Sequence, residues 1–345
     1  MQLAQVATLL RARGPALQAL RERADALRRE QAGDTVTYVV NRNINFTNLC
    51  VKSCRFCAFA KGFRSEEAYF YTPEEVVWRA REAWELGATE VCLQAGLAPS
   101  VNGQTYVSLL KAVKEALPDL HVHGFSPAEV TYGAKTSRWT VEDMLLRLQD
   151  AGLGSLPGTS AEILDDAVRR RISPTRISTE QWESVIRTAH RLGIRTTSTF
   201  MFGHVETPEQ LASHLLRLRR IQQDTGGFTE VVPLSFVHYE APLFAQQEGV
   251  RPGATADEVR ATFATTRVVL GEVLPNLQAS WVKEGLDEAQ TLLDWGANDL
   301  GGTLQNESIS TAAGATHGQW VKPPELERRI RLAGRAPRQR TTLYA

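Results

Sequence analysis

Segments with strand-like runs of apolar residues are followed along the chain by segments with apolar residues at helical spacing. This pattern predicts a regular succession of strands and helices. Runs rich in β-branched or apolar residues predict strands at 36–46, 89–94, 120–125, 153–156, 195–202, 229–236, 276–282 and 297–300. Apolar residues at helical spacing predict helices at 73–86, 105–117, 140–151, 179–192, 207–223, 255–273 and 286–295. Strands that alternate with helices of this length pair in parallel through helical crossovers.

Capping residues support these helix boundaries, since Thr72 precedes Pro73 and Thr207 precedes Pro208. Eight alternating strands fit a closed (β/α)8 barrel, the TIM-like α/β fold, better than an open doubly wound sheet. We therefore predict three parts of one chain: an N-terminal helical segment at 1–35, the barrel at 36–321, and a C-terminal helix and tail packed on the barrel at 322–345.

The composition and the N-terminal residues argue against a nucleic-acid-binding, a membrane or a secreted protein. Lys+Arg and Asp+Glu are 39 each, so the charge balance gives no basic surface for nucleic acid. No apolar run approaches the roughly 18 residues of a membrane span. The first residues, MQLAQVATLLRARG, lack the apolar core and cleavage site of a secretory signal. We expect a cytoplasmic protein that binds neither nucleic acid nor a membrane.

Three of the four cysteines lie close together, directly after the first predicted strand: Cys50, Cys54 and Cys57. Thiolates are the usual ligands of iron–sulfur clusters, and a [4Fe–4S] cluster that only carries electrons takes four of them. The spacing C-x3-C-x2-C supplies three. One iron then stays open to a substrate that offers an amine and a carboxylate, as S-adenosylmethionine (SAM) does. The motif therefore predicts one open [4Fe–4S] cluster per chain.

Two other kinds of cysteine chemistry fit these residues less well. A zinc site needs a fourth Cys or His at ligand spacing, and the nearest histidine, His121, is far along the chain. A redox disulfide could use Cys54 and Cys57, but it leaves Cys50 without a role. Cys92, inside the second predicted strand, is expected to be a small buried apolar residue.

Polar residues recur near the predicted strand ends, where a barrel places its chemistry. His121 and His123 share one face of the third strand because side chains alternate. Core packing, helix capping and turn formation remain alternatives for these positions. The residues that we expect in a substrate pocket are His121, His123, His204, His238, Asn306 and Glu307.

The stretch 45–59, which contains the three cysteines, resembles the radical SAM superfamily. The resemblance implies that SAM binds the open iron and that Phe56, the aromatic residue before the last cysteine, lies beside its adenine. It also implies that a glycine-rich segment after the second strand, here Gln94 and Gly96, presents backbone groups to the SAM amine. Ala95 departs from the usual pair of glycines in that segment.

The segment after the fourth strand resembles the same superfamily. It implies that Ser160 and Glu162 bind SAM, with the carboxylate directed at the ribose or the amine. A carboxylate in the first turn of a helix, which the helix dipole favours, is the alternative for Glu162.

A narrower resemblance covers the chain from about residue 36 to its end. HVHGFSPAEV, AGLGSLPGTSAEILDD and NDLGGTLQNESIS resemble FO synthase subunit 2, the 4-hydroxyphenyl transferases of deazaflavin (coenzyme F420) synthesis. The resemblance implies that a radical made from SAM takes hydrogen from the amino group of L-tyrosine. The tyrosine Cα–Cβ bond then breaks, and the 4-hydroxybenzyl group adds to C5 of 5-amino-6-(D-ribitylamino)uracil. A one-electron reductant and FO synthase subunit 1, which would close the deazaflavin ring, are the implied partners.

Two rival functions remain open at this point. Menaquinone-pathway relatives, the aminofutalosine synthases and dehypoxanthine futalosine cyclases, share the cysteine spacing and the barrel, and they have variants of GTSAEI and FGHVET. A non-enzymatic zinc or scaffold protein is the rival from another class, and it predicts a colourless preparation rather than a brown, oxygen-sensitive one.

Overall fold

The computed structural model describes residues 1–52, 54–159 and 161–344. The strands in these ranges are Thr35–Val39 (β1), Asn41–Asn45 (β2), Glu90–Gln94 (β3), His121–Gly124 (β4), Ser155–Leu156 (β5), Arg195–Phe202 (β6), Phe228–Ser235 (β7), Asp299–Gly302 (β8) and Ala336–Gln339 (β9). The helices are Leu3–Leu10 (α1), Gly14–Ala32 (α2), Pro73–Glu85 (α3), Gly103–Ala116 (α4), Pro127–Ser137 (α5), Val141–Asp150 (α6), Asp166–Ile172 (α7), Thr179–Arg191 (α8), Pro208–Thr225 (α9), Pro242–Gln246 (α10), Ala256–Leu270 (α11), Trp281–Leu292 (α12), Ile309–Ala312 (α13) and Pro323–Leu332 (α14).

The strands form a parallel barrel. β2 to β7 pair in chain order, and β1 pairs with β8. Between β7 and β8 the ring continues through single bridges, from Leu277 to Val231 and from Gln278 to Asp299. β1 and β2 are two halves of the predicted strand 36–46, interrupted at Val40, and together they close the ring. The predicted TIM-like barrel is therefore confirmed.

The predicted strand at 276–282 is the main local difference from the sequence-based prediction. Only Leu277 and Gln278 make strand bridges there, because α12 already begins at Trp281. That helix carries a kink at Gly285, where φ is +79°, a conformation that glycine adopts without strain. The pattern predicted this helix only from residue 286, just beyond the kink.

The N-terminal segment forms two helices rather than one continuous helix. α1 lies against α9, and α2 lies against α11, so both cover the outer layer of barrel helices. Their apolar positions, including Val6, Leu10 and Leu17, are buried in this contact. Within the described residues, no helix has the length and apolarity needed to cross a membrane.

The C-terminal segment closes the end of the barrel where the strands begin. β9 pairs in parallel with β1, from Thr35 opposite Ala336 to Tyr38 opposite Gln339. It carries Arg340 beneath the barrel, where the guanidinium donates to Asp299 Oδ2 at 2.5 Å and to Glu230 Oε2 at 3.0 Å. The barrel interior is therefore sealed at one end by the chain itself.

Candidate active site at the open end of the barrel

Strand alternation decides which side chains face the interior. Register pairs place Asn41 beside Glu90 and His121, and one level higher Asn43 beside Cys92 and His123. Cys92, expected as a buried structural residue, lines the interior cavity instead. The same alternation that pointed to the two histidines could have identified Asn43 and Cys92.

The three clustered cysteines line one cavity of about 130 Å³ above the strand ends. The backbone amides of Lys52 and Leu97 donate to Cys50 Sγ at 3.4 and 3.3 Å. Burial raises the pKa of Cys54 to about 11 and also raises that of Cys57. Thiols buried in this way become thiolates when a metal centre supplies positive charge.

The cysteine loop has features that fit an iron–sulfur cluster. Three thiols line one cavity, and in a [4Fe–4S] cluster each thiolate binds a different iron. Amides that donate to sulfur, as Leu97 does to Cys50, are also typical of these sites.

The segment after β3 packs tightly beneath the cysteine loop. A Cβ at Gly96 would lie 2.2 Å from the Leu49 carbonyl oxygen, so only glycine allows this approach. The Gly96 amide donates to the Thr47 carbonyl at 2.9 Å. The Ala95 amide donates to Glu129 Oε1, also at 2.9 Å. The amides of residues 95–97 therefore hold the cysteine loop and this segment in place. The carbonyl groups of the segment are then the backbone groups that could accept a hydrogen bond from the SAM amine.

Glu162 and Phe56 form one wall between the cysteines and the barrel interior. Glu162 is buried in the left-handed region, at φ +46°, which is a strained conformation for a residue with a side chain. Its Oε1 lies 3.4 Å from Arg176 Nη1, and the Arg176 guanidinium lies 5.9 Å from the centre of the Phe56 ring. Ser160, predicted beside Glu162, falls outside the described residues.

A second cavity of about 270 Å³ fills the barrel interior below the first. The two cavities share wall residues, namely Phe56, Cys57, Gln94, Thr159, Glu162 and Ile309. Gln94 Nε2 donates to Thr159 Oγ1 at 3.2 Å within this shared wall. A small molecule beside the cysteines would therefore face a second molecule inside the barrel.

The predicted histidines take different places. His123 lines the interior cavity, whereas His121 lies one level lower, and both bond the Ser155 hydroxyl at 2.7 Å. Burial lowers the pKa of His123 to about 4, so its ring is neutral near pH 7. His204 and His238 do not line either cavity in the described part of the chain.

His204 serves the loop after β6. Its Nε2 lies 3.0 Å from the Met201 carbonyl, and its Nδ1 accepts the Val205 amide at 2.7 Å. His238 packs against the rings of Tyr239 and Phe244, with ring centres 4.2 and 4.8 Å away. Both placements correspond to the packing alternative that the sequence left open.

Asn306 and Glu307, predicted together, separate in the structure. Asn306 is exposed at φ +64°, a turn conformation that asparagine tolerates. Glu307 is buried, lines the interior cavity and accepts the Ser310 amide at 2.9 Å. Lys283 lines the same cavity and attracts the Glu307 carboxylate. Burial lowers the pKa of Lys283, and the nearby Glu307 opposes that change.

Sequence reasoning missed Glu129, Arg176 and Lys283, all of which line these cavities. Glu129 belongs to the capping box of α5, a helix that the hydrophobic pattern did not predict because its segment is rich in small and polar residues. The sequence Ser126-Pro127-Ala128-Glu129 is itself a capping signal and could have found that helix. Arg176 and Lys283 carry no local signal.

Comparison with known proteins identifies the class. The sequence profile of the radical SAM superfamily matches residues 44–218, and that of the CofH/MqnC C-terminal region matches 225–345. Methylornithine synthase has the same fold, with a TM-score of 0.72 at 20% identity, over 98% of this chain and 94% of that one. The hydrogenase maturase HydG from Carboxydothermus hydrogenoformans gives 0.75 at 15% identity, over 100% and 77%. The chain belongs to the radical SAM superfamily.

Closer relatives narrow this assignment. The 5-amino-6-(D-ribitylamino)uracil–L-tyrosine 4-hydroxyphenyl transferase of Methanopyrus kandleri is 52% identical over 90% of this chain and 84% of its own length. The enzyme of the same name from Methanothermobacter thermautotrophicus is 49% identical over 96% and 90%. The FO synthase of Streptomyces avermitilis is 48% identical over 99% of this chain but only 40% of its own length. Within the superfamily, the chain belongs to this transferase family.

Proposed function

We propose that this protein transfers the 4-hydroxybenzyl group of L-tyrosine to C5 of 5-amino-6-(D-ribitylamino)uracil. The product would be 5-amino-5-(4-hydroxybenzyl)-6-(D-ribitylimino)-5,6-dihydrouracil, a deazaflavin precursor. The observation that carries this proposal is the cavity of Cys50, Cys54 and Cys57, which joins a larger interior cavity. The chain that forms these cavities is 52% identical to a 5-amino-6-(D-ribitylamino)uracil–L-tyrosine 4-hydroxyphenyl transferase.

The cysteines would hold a [4Fe–4S] cluster whose fourth iron takes SAM. When bound, the cluster and SAM would supply the one-electron radical chemistry that the reaction at the tyrosine amino group needs. Phe56, Gln94, Gly96, Ser160 and Glu162 are our candidates for contacts to SAM. Support comes from the four of these that the structure describes, because each of them lines the cysteine cavity.

The protein's own groups would bind and orient the two substrates. The Lys283 ammonium, in the wall of the interior cavity, can pair with the tyrosine carboxylate. His123 and Glu307 remain candidates for substrate contacts, since both line this cavity. The floor made by Arg340 and its partners would keep water from entering through the far end and so help to exclude solvent from the reaction.

We further propose a one-electron reductant and FO synthase subunit 1 as functional partners in the cytoplasm. The FO synthase of S. avermitilis, of which this chain matches 40%, supports the pairing with a second enzyme. Residues 36–321 would form the catalytic barrel, with 1–35 and 322–345 as flanking segments.

A label-transfer experiment tests the function. The anaerobically purified, reduced protein is supplied with SAM, the ribitylaminouracil and L-tyrosine carrying ¹³C in its phenol ring. We expect the ring label to appear in a uracil adduct, with 5′-deoxyadenosine formed in parallel. Turnover of a futalosine-type substrate, with no consumption of tyrosine, would contradict the proposal.

A further inference from the structure

Five neutral polar side chains form a band around the interior cavity, between the cysteine level and the floor. We call this set the neutral layer; it consists of Asn43, His123, Thr199, Gln278 and Ser280. His123 uses only Nδ1, on the Ser155 hydroxyl. Across residues 1–52, 54–159 and 161–344, the other four side chains and His123 Nε2 make no hydrogen bond.

Such an arrangement points to a ligand. The five side chains face the cavity rather than the closed core, and Asn43, Thr199 and Gln278 are only half-buried, so a molecule in the cavity can reach their polar atoms. Their hydrogen-bonding groups are not taken up by the protein, and the cavity is large enough for a small molecule. Two carboxamides and two hydroxyls offer both donors and acceptors, and none of the five carries a charge near pH 7. The layer therefore suits an uncharged molecule with many hydrogen-bonding groups.

Charges are distributed unequally above and below this layer. Lys283 and Arg176 lie on the side of the cysteines, since both interact electrostatically with Cys57, and the carboxylates of Glu307 and Glu162 lie beside them. The carboxylates of Glu90 and Glu230 lie at the floor, beside Thr342 and Arg340. A free amino acid carries an ammonium and a carboxylate, and the mixed charges on the cysteine side can pair with both, whereas the floor holds carboxylates around an Arg340 guanidinium that is already paired. Tyrosine should therefore occupy the upper part of the cavity, nearer the cysteines.

We propose that the neutral layer is the binding site of 5-amino-6-(D-ribitylamino)uracil, a step that rests on the proposed function. The edge of a uracil ring alternates N–H and C=O groups, which match the carboxamides of Asn43 and Gln278. The ribityl hydroxyls match Thr199, Ser280 and the free nitrogen of His123. With the uracil held below and tyrosine above, the carbon that receives the benzyl group faces its donor.

Single substitutions in the neutral layer test the assignment. Asn43→Leu, Gln278→Met and Thr199→Val keep side-chain size and remove hydrogen bonding. The matched control is Ser198→Ala, because Ser198 lies on the same strand as Thr199 but faces away from the cavity. Each layer variant should raise KM for the uracil by about fivefold to tenfold and leave KM for tyrosine within about twofold. Ser198→Ala should change neither.

Direct binding separates this proposal from the proposed function. The affinity of the cluster-loaded, SAM-bound protein for the ribitylaminouracil is measured by anaerobic calorimetry, which needs no turnover. Weaker uracil binding in the three layer variants, with Ser198→Ala at the wild-type affinity, supports the site. Unchanged uracil affinity, or a rise in KM for tyrosine alone, overturns it even if the wild-type protein forms the expected product. If the wild-type protein forms no product but binds the uracil, and the layer variants bind it more weakly, the proposed reaction is rejected and the proposed binding site is supported.

Discussion

The backbone amide of Ala95 donates a hydrogen bond to the buried carboxylate of Glu129, at 2.9 Å. The same carboxylate caps α5 by accepting the Ser126 amide at 2.7 Å and the Ser126 hydroxyl at 2.6 Å. One side chain thus joins the segment beneath the cysteine loop to the start of a barrel helix. Burial raises the pKa of Glu129 to about 7, and these three donors oppose that rise.

Glu129→Ala should therefore destabilise the protein and loosen the cysteine loop. It leaves buried donors without an acceptor, so we expect a loss of about 2–3 kcal/mol in the free energy of unfolding. Glu75→Ala is the matched control, because Glu75 caps α3 in the same way at the surface, and it should cost about 0.5 kcal/mol. Anaerobic urea unfolding measures both. Equal losses would contradict a special role for Glu129.

Gly96→Ala tests the close approach of the segment after β3 to the cysteine loop. The added methyl would meet the Leu49 backbone at 2.2 Å, so the loop that carries Cys50 must move. We expect a loss of about 1–3 kcal/mol in stability and less iron bound per chain. Gly62→Ala, in the same loop region, has no atom within 4 Å of the added methyl and should retain its iron. Iron analysis after anaerobic purification distinguishes the two variants, and full iron content in Gly96→Ala would refute this account.

Arg340→Met tests the closure of the barrel floor. Removal of the guanidinium leaves the carboxylates of Asp299 and Glu230 buried without their counter-charge. Breaking such a buried pair costs about 3–5 kcal/mol. Arg338→Met, two residues earlier on the exposed side of β9, should be nearly neutral. Chemical unfolding compares the two variants, and similar stabilities would show that the floor contributes little.

The sequence predicted what depends on local pattern. Alternation placed His121 and His123 on one face of β4, and the cysteine spacing located the loop above the barrel. Helix positions followed from apolar periodicity, with boundaries displaced where a kink such as Gly285 interrupts it.

Relationships that depend on tertiary folding could not be predicted in this way. Arg340 meets Asp299 and Glu230 only because β9 pairs with β1. The separation of Asn306 from its neighbour Glu307 follows from the turn at positive φ, which no periodic pattern encodes. The His204 ring packs within its own loop because the nearby backbone supplies hydrogen-bond partners for both ring nitrogens.

Buried histidine makes stability depend on pH. Burial lowers the pKa of His214 to about 3, with Arg169 and Arg217 adding to the shift, whereas an unfolded histidine titrates near 6.5. As the pH falls, His214 therefore takes up a proton in the unfolded chain before it does so in the folded one. The contribution of neutral His214 to stability is fully present above about pH 6.5 and is lost as the pH drops toward 3. The slope from this residue is up to about 1.4 kcal/mol per pH unit.

His214→Asn removes that titration and keeps an acceptor for the Leu164 amide, which His214 Nδ1 accepts at 3.1 Å. We expect the variant to be less stable at pH 7.5 but to lose less stability between pH 7.5 and 5.5 than the parent protein. Anaerobic unfolding at both pH values gives the two slopes. Identical slopes would mean that His214 is not the group responsible.

The most direct test compares iron content and SAM cleavage in Cys54→Ala with those in Cys92→Ala. Cys54 lies in the cysteine cavity, whereas Cys92 faces the barrel interior below it. We predict that the Cys92 variant keeps about four irons per chain and forms 5′-deoxyadenosine, and that the Cys54 variant loses both properties. Intact SAM cleavage in Cys54→Ala would contradict an open three-cysteine cluster as the origin of the chemistry.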